Sequence, residues 1–299
     1  MLAAAALAAT ALLWGSNHVA ARAIHGDVPL PALMFWRWAL ALAVLTPFAL
    51  PGLMREWPVI RPQLWRIFVL GTAGVGLFSA CLFAGAYYSL ALEVGLLNAT
   101  TPIWVVLMAM AAGAPSGGAR QWGGILLALA GVATILLKGS LAGIGTLEFH
   151  VGNIFTLAGA IVFAWYTLAL GARPLGISSL SATVVMAWSG LISILAPAYA
   201  GYLLLGGTDP LLSADRPPAA SLAVAYIAFG PTLLGNLFWI YGASRLGAAR
   251  AGPFLYLSPV ASLVLAVTLL GEPLALFQLA GACAILCGVA LSSTARPAA

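Results

Sequence analysis

The chain has 299 residues, of which 63% are hydrophobic and 6% charged, and its formal net charge is +5. A soluble domain carries roughly 25% charged residues to face water. The composition therefore excludes a water-soluble globular protein, and a mean hydropathy of +1.07 puts the chain in a membrane.

Ten charge-free stretches of at least 17 residues follow one another along the chain: 1–21, 38–54, 67–92, 94–119, 121–137, 149–172, 174–208, 217–244, 251–271 and 273–295. About 20 apolar residues, and at least 17, cross a bilayer core as a helix, so each stretch is read as one transmembrane helix. The long stretch 174–208 holds one helix and a Gly-rich connection at Gly201, Gly206 and Gly207. The runs do not alternate polar and apolar residues, which excludes a barrel.

The first stretch carries Trp14-Gly15-Ser16-Asn17-His18. It lacks a basic start and a small-x-small junction, so a retained helix is expected rather than a cleaved signal. His18 reads two ways, as a proton relay or as a neutral hydrogen-bonded side chain near the outer interface. The second helix opens on Phe35-Trp36-Arg37-Trp38. Arg37 there either snorkels to headgroups or steers anions at an outer mouth. In the third, Ser79, Phe83 and Tyr87 recur every four residues and form one polar-aromatic stripe.

The fourth helix is centred on Asn98-Ala-Thr-Thr-Pro102-Ile-Trp104 and the ninth on Tyr256-Leu-Ser-Pro259. A proline inside a span removes a backbone hydrogen bond and bends the helix, so these two are expected as hinges or cavity walls. Trp165 in the sixth helix and Trp239 in the eighth lie deeper than belt tryptophans such as Trp57, Trp65 and Trp122. Asn236 has four hydrogen-bonding sites to satisfy and reads as packing glue or as a cavity residue. Ser79 reads as glue between helices. Cys81, Cys283 and Cys287 all fall within spans, where they read as small apolar packing residues.

Shifted by 157 residues, the end of the chain matches its middle without a gap. Pro102 falls on Pro259, Gln121 on Gln278, Gly124 on Gly281 and Gly131-Val132-Ala133 on Gly288-Val289-Ala290, among nine identities in positions 93–133. At the same offset Gly74 falls on Pro231 and Ser79 on Asn236, and at an offset of 151 Trp14 falls on Trp165. Two units are thus expected, 1–140 and 149–295. Gly124 with Gly131, and Gly281 with Gly288, are seven apart and mark close helix packing.

With the N-terminus cytoplasmic, Arg55, Arg61, Arg66, Arg120, Arg173, Arg245, Arg250 and Arg296 lie inside, against Arg22, Lys138 and Arg216 outside with Arg37 nearby. That is a positive-inside distribution, with both termini cytoplasmic. The net charge then reflects topology and anionic lipid, and gives no reason to invoke nucleic acid. Five helices per unit is an odd number, so the second unit enters the membrane from the opposite side. The expected fold is all-α and integral to the membrane, with ten transmembrane helices in two inverted five-helix repeats. This is the architecture of secondary transporters, with a binding site at the midplane between repeats.

No span holds a paired carboxylate, an HExxH, a G-x-S-x-G or a phosphate loop. An intramembrane lipid-modifying enzyme therefore has no visible machinery. No cofactor or metal pattern is present. The absence of an intramembrane Asp or Glu favours facilitated diffusion over proton coupling.

Trp-Gly-Ser-Asn near the start, and Gly271-Glu272-Pro273-Leu274 followed by Gln278, Gly281 and Gly288-Val289, resemble the EamA-type drug/metabolite transporters over nearly the whole chain. The first half departs from the pattern, with Ala114-Pro115 in place of Gly-Glu. Within that superfamily the chain is most similar to aromatic amino acid exporters of the YddG type. The resemblance implies a basket of the first, third, fourth, sixth, eighth and ninth helices around a central cavity. It also implies export of small, largely apolar amino acids or related metabolites across a bacterial inner membrane. Other neutral metabolites or drugs of the superfamily are the alternative substrates. The residues expected on the substrate path are Trp14, Asn17, Ser79, Phe83, Tyr87, Asn98, Thr101, Trp104, Trp165, Asn236, Trp239, Tyr256 and Ser258. Pro102, Pro231 and Pro259 are the expected hinges, with His18 and Arg37 as an outer gate. The expected partners are a small-molecule substrate and the bilayer, and the expected state is a monomer. With Lys and Arg missing from the core, phosphorylated substrates are not expected.

Overall fold

The computed structural model describes residues 1–24, 27–89, 91–113, 118–140, 150–213, 218–270 and 274–293. Among these the regular structure is entirely helical. Two helices are continuous in the first part of the chain, α1 (Leu2–Ala23) and α2 (Leu30–Ile60). A 3-10 turn at Arg61–Gln63 leads into α3 (64–88), in which Leu64–Gly71 and Phe78–Tyr88 are joined by a π-helical turn, Thr72–Leu77. Next come α4 (Ala91–Asn98 and Thr101–Ala111), α5 (Gly118–Leu136) and α6 (Val151–Ala172). α7 (Ser179–Leu204) and α8 (Pro218–Leu246) each contain a further π turn, Leu191–Leu195 and Ala228–Leu234 respectively. α9 (248–270) passes from Ala248–Ala251 through a 3-10 stretch, Gly252–Tyr256, to Leu257–Leu270, and α10 is Leu276–Ser293.

Among the described residues five helical runs are long and apolar enough to cross a membrane: Leu30–Leu82, Gly118–Leu136, Val151–Ala172, Ser179–Leu204 and Pro218–Leu246. The first has 53 residues. At 1.5 Å per residue a straight helix of that length would be about 80 Å long, more than twice the hydrocarbon core. The chain instead breaks at Gln63, with φ −118° and ψ 18°. Leu2–Asn17, Thr101–Ala111 and Leu276–Ser292 are shorter apolar helices. Large apolar side chains face outward along these helices, among them Leu12, Phe48, Leu126, Ile154, Ile192 and Leu222, each more than half exposed. Such a surface is stable only against lipid.

Helices from the two parts of the chain pack crosswise in antiparallel pairs. α1 lies along α8: Leu7 fills the space beside Gly242, Thr10 Oγ1 donates to the Gly235 carbonyl at 3.1 Å, and Trp14 Nε1 donates to the Pro231 carbonyl at 3.0 Å. α3 lies along α6 in the same manner, with Tyr166 over Gly74, Cys81 beside Gly159 and Thr156 against Gly85. α5 and α10 approach most closely at the echoed glycines. A Cβ on Gly124 would stand 2.6 Å from the Gly288 carbonyl, and one on Gly131 2.6 Å from the Gly281 carbonyl. Small residues at this spacing let the backbones touch.

α2 is held to α7 at three depths. Glu56 accepts from Ser178 N and Oγ at 3.2 Å, Thr46 Oγ1 accepts from Trp188 Nε1 at 3.0 Å, and Phe35 stacks on Tyr199 with ring centroids 4.5 Å apart. At the Phe35 end Asp209 adds a carboxylate that accepts from Trp36 Nε1 at 2.7 Å, from Leu211 N at 2.9 Å and from Tyr199 OH.

A central aromatic cluster

Five rings from four helices meet in the middle of the bundle. Phe163 is the hub, 4.5 Å from Phe78, 5.5 Å from Trp239, 5.7 Å from Tyr166 and 5.9 Å from Trp14, and Trp14 lies 5.5 Å from Trp239. The spacing that builds the hub is plain on α6, where Phe163, Tyr166, Thr167 and Leu170 fall on one buried face. Leu7, Ile67, Leu70, Leu170 and Met186 pack against the cluster. The indole Nε1 of Trp239, a residue 1% exposed, and the Thr232 hydroxyl seven residues earlier on the same helix both lie buried without a hydrogen-bond acceptor or donor. Buried polar atoms in that condition are rare and call for an explanation.

The π turns shape the cluster's two flanks. Shifted by the 157 residues of the sequence echo, Thr72–Leu77 falls on 229–234, inside the π turn Ala228–Leu234. Each π turn releases carbonyls from the regular ladder. On α8 those of Pro231 and Thr232 are taken by Trp14 Nε1 and by Asn236 Nδ2, the latter at 2.7 Å. Because a carbonyl needs a donor, this bond fixes which end of the Asn236 amide turns away from the helix.

The expected path residues separate into those brought together and those placed elsewhere. Trp14 and Trp239 are in the cluster. Ser79, 3% exposed, accepts a 3.0 Å hydrogen bond from Arg37 Nη2. Arg37 therefore reaches across to α3 instead of snorkelling outward, which corrects the expectation that the core holds no basic group. Asn17 and Ser258 are half-buried. Thr101 is buried and donates to the Asn98 carbonyl at 2.6 Å, while Trp104 donates to Thr100 Oγ1 at 3.1 Å and packs with Val105, Ala164 and Ala248.

Trp165 is 40% exposed and shares its face of α6 with Ile154, three helical turns away. The seat expected for it belongs to its neighbour Tyr166, and the ring against Trp14 is Phe163. Tyr256 is turned by the 3-10 stretch into the α5–α10 pair, beside Val106, Ile125 and Ile285. Pro102 and Pro259 do not bend continuous helices. α4 is interrupted at Ala99 and Thr100, α9 changes from 3-10 to α at Tyr256, and each proline sits in the first turn of the segment that follows. A first turn has no use for the missing N–H. Pro231 lies within its π turn. The side chains of His18, Phe83 and Tyr87 lie outside the described residues.

The EamA-like transporter family model matches this chain twice, over residues 1–137 and 150–294. The chain belongs to the EamA-like transporter family. Its membership makes it a multi-pass membrane protein with a transporter's fold, and points away from an enzyme. This EamA protein is 27% identical over 261 residues to the uncharacterized transporter YyaM of Bacillus subtilis, covering 86% of this chain and 82% of the relative. It is 28% identical to a probable terminal-alkyne amino-acid exporter of Streptantibioticus cattleyicolor, over 91% of this chain and 87% of that one. A probable amino-acid metabolite efflux pump of Salmonella typhimurium is 36% identical over 179 residues, 57% of this chain and 56% of the relative. A crystal structure with a TM-score of 0.78 covers 99% of both chains at 22% identity, and shares the fold of the EamA protein.

Proposed function

We propose that this protein is a secondary transporter of small, mainly aromatic or hydrophobic amino acids or related metabolites, working out of the cell by alternating access. In this reading its ten helices are two inverted repeats, 1–140 and 149–295, with both termini cytoplasmic in a bacterial inner membrane. The observation that carries it is the crosswise pairing of α1 with α8 and α3 with α6 around one aromatic cluster. Two halves that contribute equivalent walls to one centre can exchange conformations and expose it to either side. The aromatic rings supply stacking area for an apolar side chain, and Asn236 and Asn17 supply amide groups for a polar head. Two relatives named for amino-acid export or efflux support the substrate class.

The decisive measurement is flux of radiolabelled phenylalanine and methionine in proteoliposomes. Protein-dependent, saturable flux is expected, and equal flux in empty vesicles overturns the reading. Facilitated diffusion is the expected mode, since all seven acids, Asp27, Glu56, Glu93, Glu148, Asp209, Asp215 and Glu272, fall between the ten apolar stretches. Uphill accumulation driven by an imposed pH gradient would replace it with proton coupling.

A further inference from the structure

Asn236 lies well inside α8, about 27 Å from Pro218 and about 15 Å from Leu246 by the helical rise. A polar side chain at that depth is costly and marks a functional site by default. At about 100° per residue, Trp239, Ile240 and Ala243 fall within about 60° of Asn236 around the helix axis, and all three are buried. Leu234, on nearly the opposite side, is 40% exposed. Asn236 is nevertheless only half-buried at the middle of the buried face. The surface it keeps therefore borders a space inside the bundle, away from lipid. The chain also sets the polarity of its amide. Nδ2 donates to the Thr232 carbonyl at 2.7 Å, so Oδ1 is the atom turned away from the helix. Among the described residues nothing donates to that oxygen. Trp239 brings the reverse polarity: its Nε1 is buried without an acceptor, and its ring stands 5.5 Å from both Trp14 and Phe163. Residues three apart on a helix have Cβ atoms about 5–6 Å apart. An unmet acceptor and an unmet donor are thus neighbours on one face of α8, beside the aromatic rings.

We infer that Asn236 Oδ1 and Trp239 Nε1 form a two-point seat for the substrate's head, Oδ1 accepting from a protonated amine and Nε1 donating to a carboxylate. This deepens the transport reading and rests on it. The pair names the substrate class: an ammonium and a carboxylate on one carbon, next to an apolar side chain. With a hydrogen bond of about 2.9 Å at each end, a carbon carrying both groups reaches side chains this close. An amide oxygen has only lone pairs and gives a bare carboxylate nothing to accept, and an indole N–H gives a bare amine nothing to donate to. Neither half of the head fills the seat alone. The rings of Trp14 and Phe163 then receive the apolar side chain.

The test uses the full chain in proteoliposomes, with L-phenylalanine as substrate and two fragments as competitors of its flux. The fragments are 2-phenylethylamine, which lacks the carboxylate, and 3-phenylpropionate, which lacks the ammonium. Wild type is expected to bind phenylalanine at least about tenfold tighter than either fragment, the worth of one hydrogen bond to a charged group. Asn236→Leu keeps the bulk without the acceptor. It is expected to weaken phenylalanine and the amine about tenfold and to leave 3-phenylpropionate unchanged. Trp239→Phe removes the donor, and is expected to weaken phenylalanine and 3-phenylpropionate while leaving the amine unchanged. Wild type binding both fragments as tightly as phenylalanine overturns the seat while the transport reading stands. So does either substitution that shifts all three compounds alike, or none of them. Absence of protein-dependent flux takes down both readings. Should the variants fail to fold, thermal stabilisation of purified wild type by phenylalanine well beyond either fragment supports the seat, and equal stabilisation by all three overturns it.

Discussion

Trp239 and Tyr256 present the same chemical problem in two places, a polar atom sealed in apolar packing with nothing to bond. An unmet buried donor or hydroxyl costs about 1–3 kcal/mol. Removing it without removing the ring relieves that cost. Tyr256→Phe, far from the aromatic cluster, is therefore expected to hold or raise the melting temperature in detergent and to leave transport untouched. Trp239→Phe is expected to be neutral or mildly stabilising in the same melt, yet to weaken substrate binding, a split that packing alone does not produce. Trp239→Ala, which empties the space between Trp14 and Phe163, is expected to cost about 3–5 kcal/mol. At this scale the sequence is a partial guide. Depth alone singles out Trp14, Trp104, Trp165 and Trp239, and of these Trp14 and Trp239 meet ring to ring in the cluster. Trp165 is misread because an offset of 151 aligns it with Trp14, and an error of one residue turns a helical side chain by about 100°. Phe163, the hub of the cluster, is visible in its spacing with Tyr166 and Leu170, but a helix that is apolar all round hides which face looks inward.

The helix pairs make sharper predictions. Gly124 and Gly131 face backbone carbonyls across the α5–α10 contact, whereas a Cβ on Gly123 would meet nothing within 4 Å. Gly131→Ala is expected to lower stability by about 1–3 kcal/mol, since backbone on both sides cannot yield. Gly123→Ala is expected to be neutral or to gain up to about 1 kcal/mol from helix propensity. Thermal unfolding of the two variants side by side checks both. These glycines are legible in the sequence because repetition at a fixed offset survives where composition is biased. The breaks of α4 and α9 are not. Pro102 and Pro259 announce that something interrupts the helix, but the sequence does not say whether the chain bends or restarts, a choice made by neighbouring turns such as Ala99-Thr100. Cys283 and Cys287 are exposed, whereas Cys81 is buried, so the packing role expected of all three suits only the last.

For the molecule as a whole, orientation is the property that the charges predict and that a labelling experiment decides. With Cys81, Cys283 and Cys287 replaced by Ala, Arg55→Cys is expected to resist a membrane-impermeant maleimide in intact cells and to react after permeabilisation. Asp209→Cys is expected to react in intact cells. The opposite pattern would invert the topology. Glu56 and Asp209 clasp opposite ends of the α2–α7 pair, so the two labelled positions report on opposite ends of it. The helical, membrane-integral character is readable from the sequence because lipid imposes it; the ten spans and their direction are expectations drawn from where charge sits and from its bias between sides. The contents of the centre are less readable, because there protein packs against protein and lipid imposes no rule.

The two π turns at matched positions, Thr72–Leu77 and Ala228–Leu234, also bear on the history of the chain. A π turn is a helix carrying one residue more than its ladder needs. Deleting that residue would swing everything beyond it by about 100°, carrying Phe78, Ser79 and Trp239 off the faces they now occupy. An extra residue found in both halves at one offset is most simply older than the copying that made them. The ancestral half then already owned the irregularity that gives the present centre its shape, and the later divergence of Gly74 from Pro231 and of Ser79 from Asn236 took place on a geometry inherited intact.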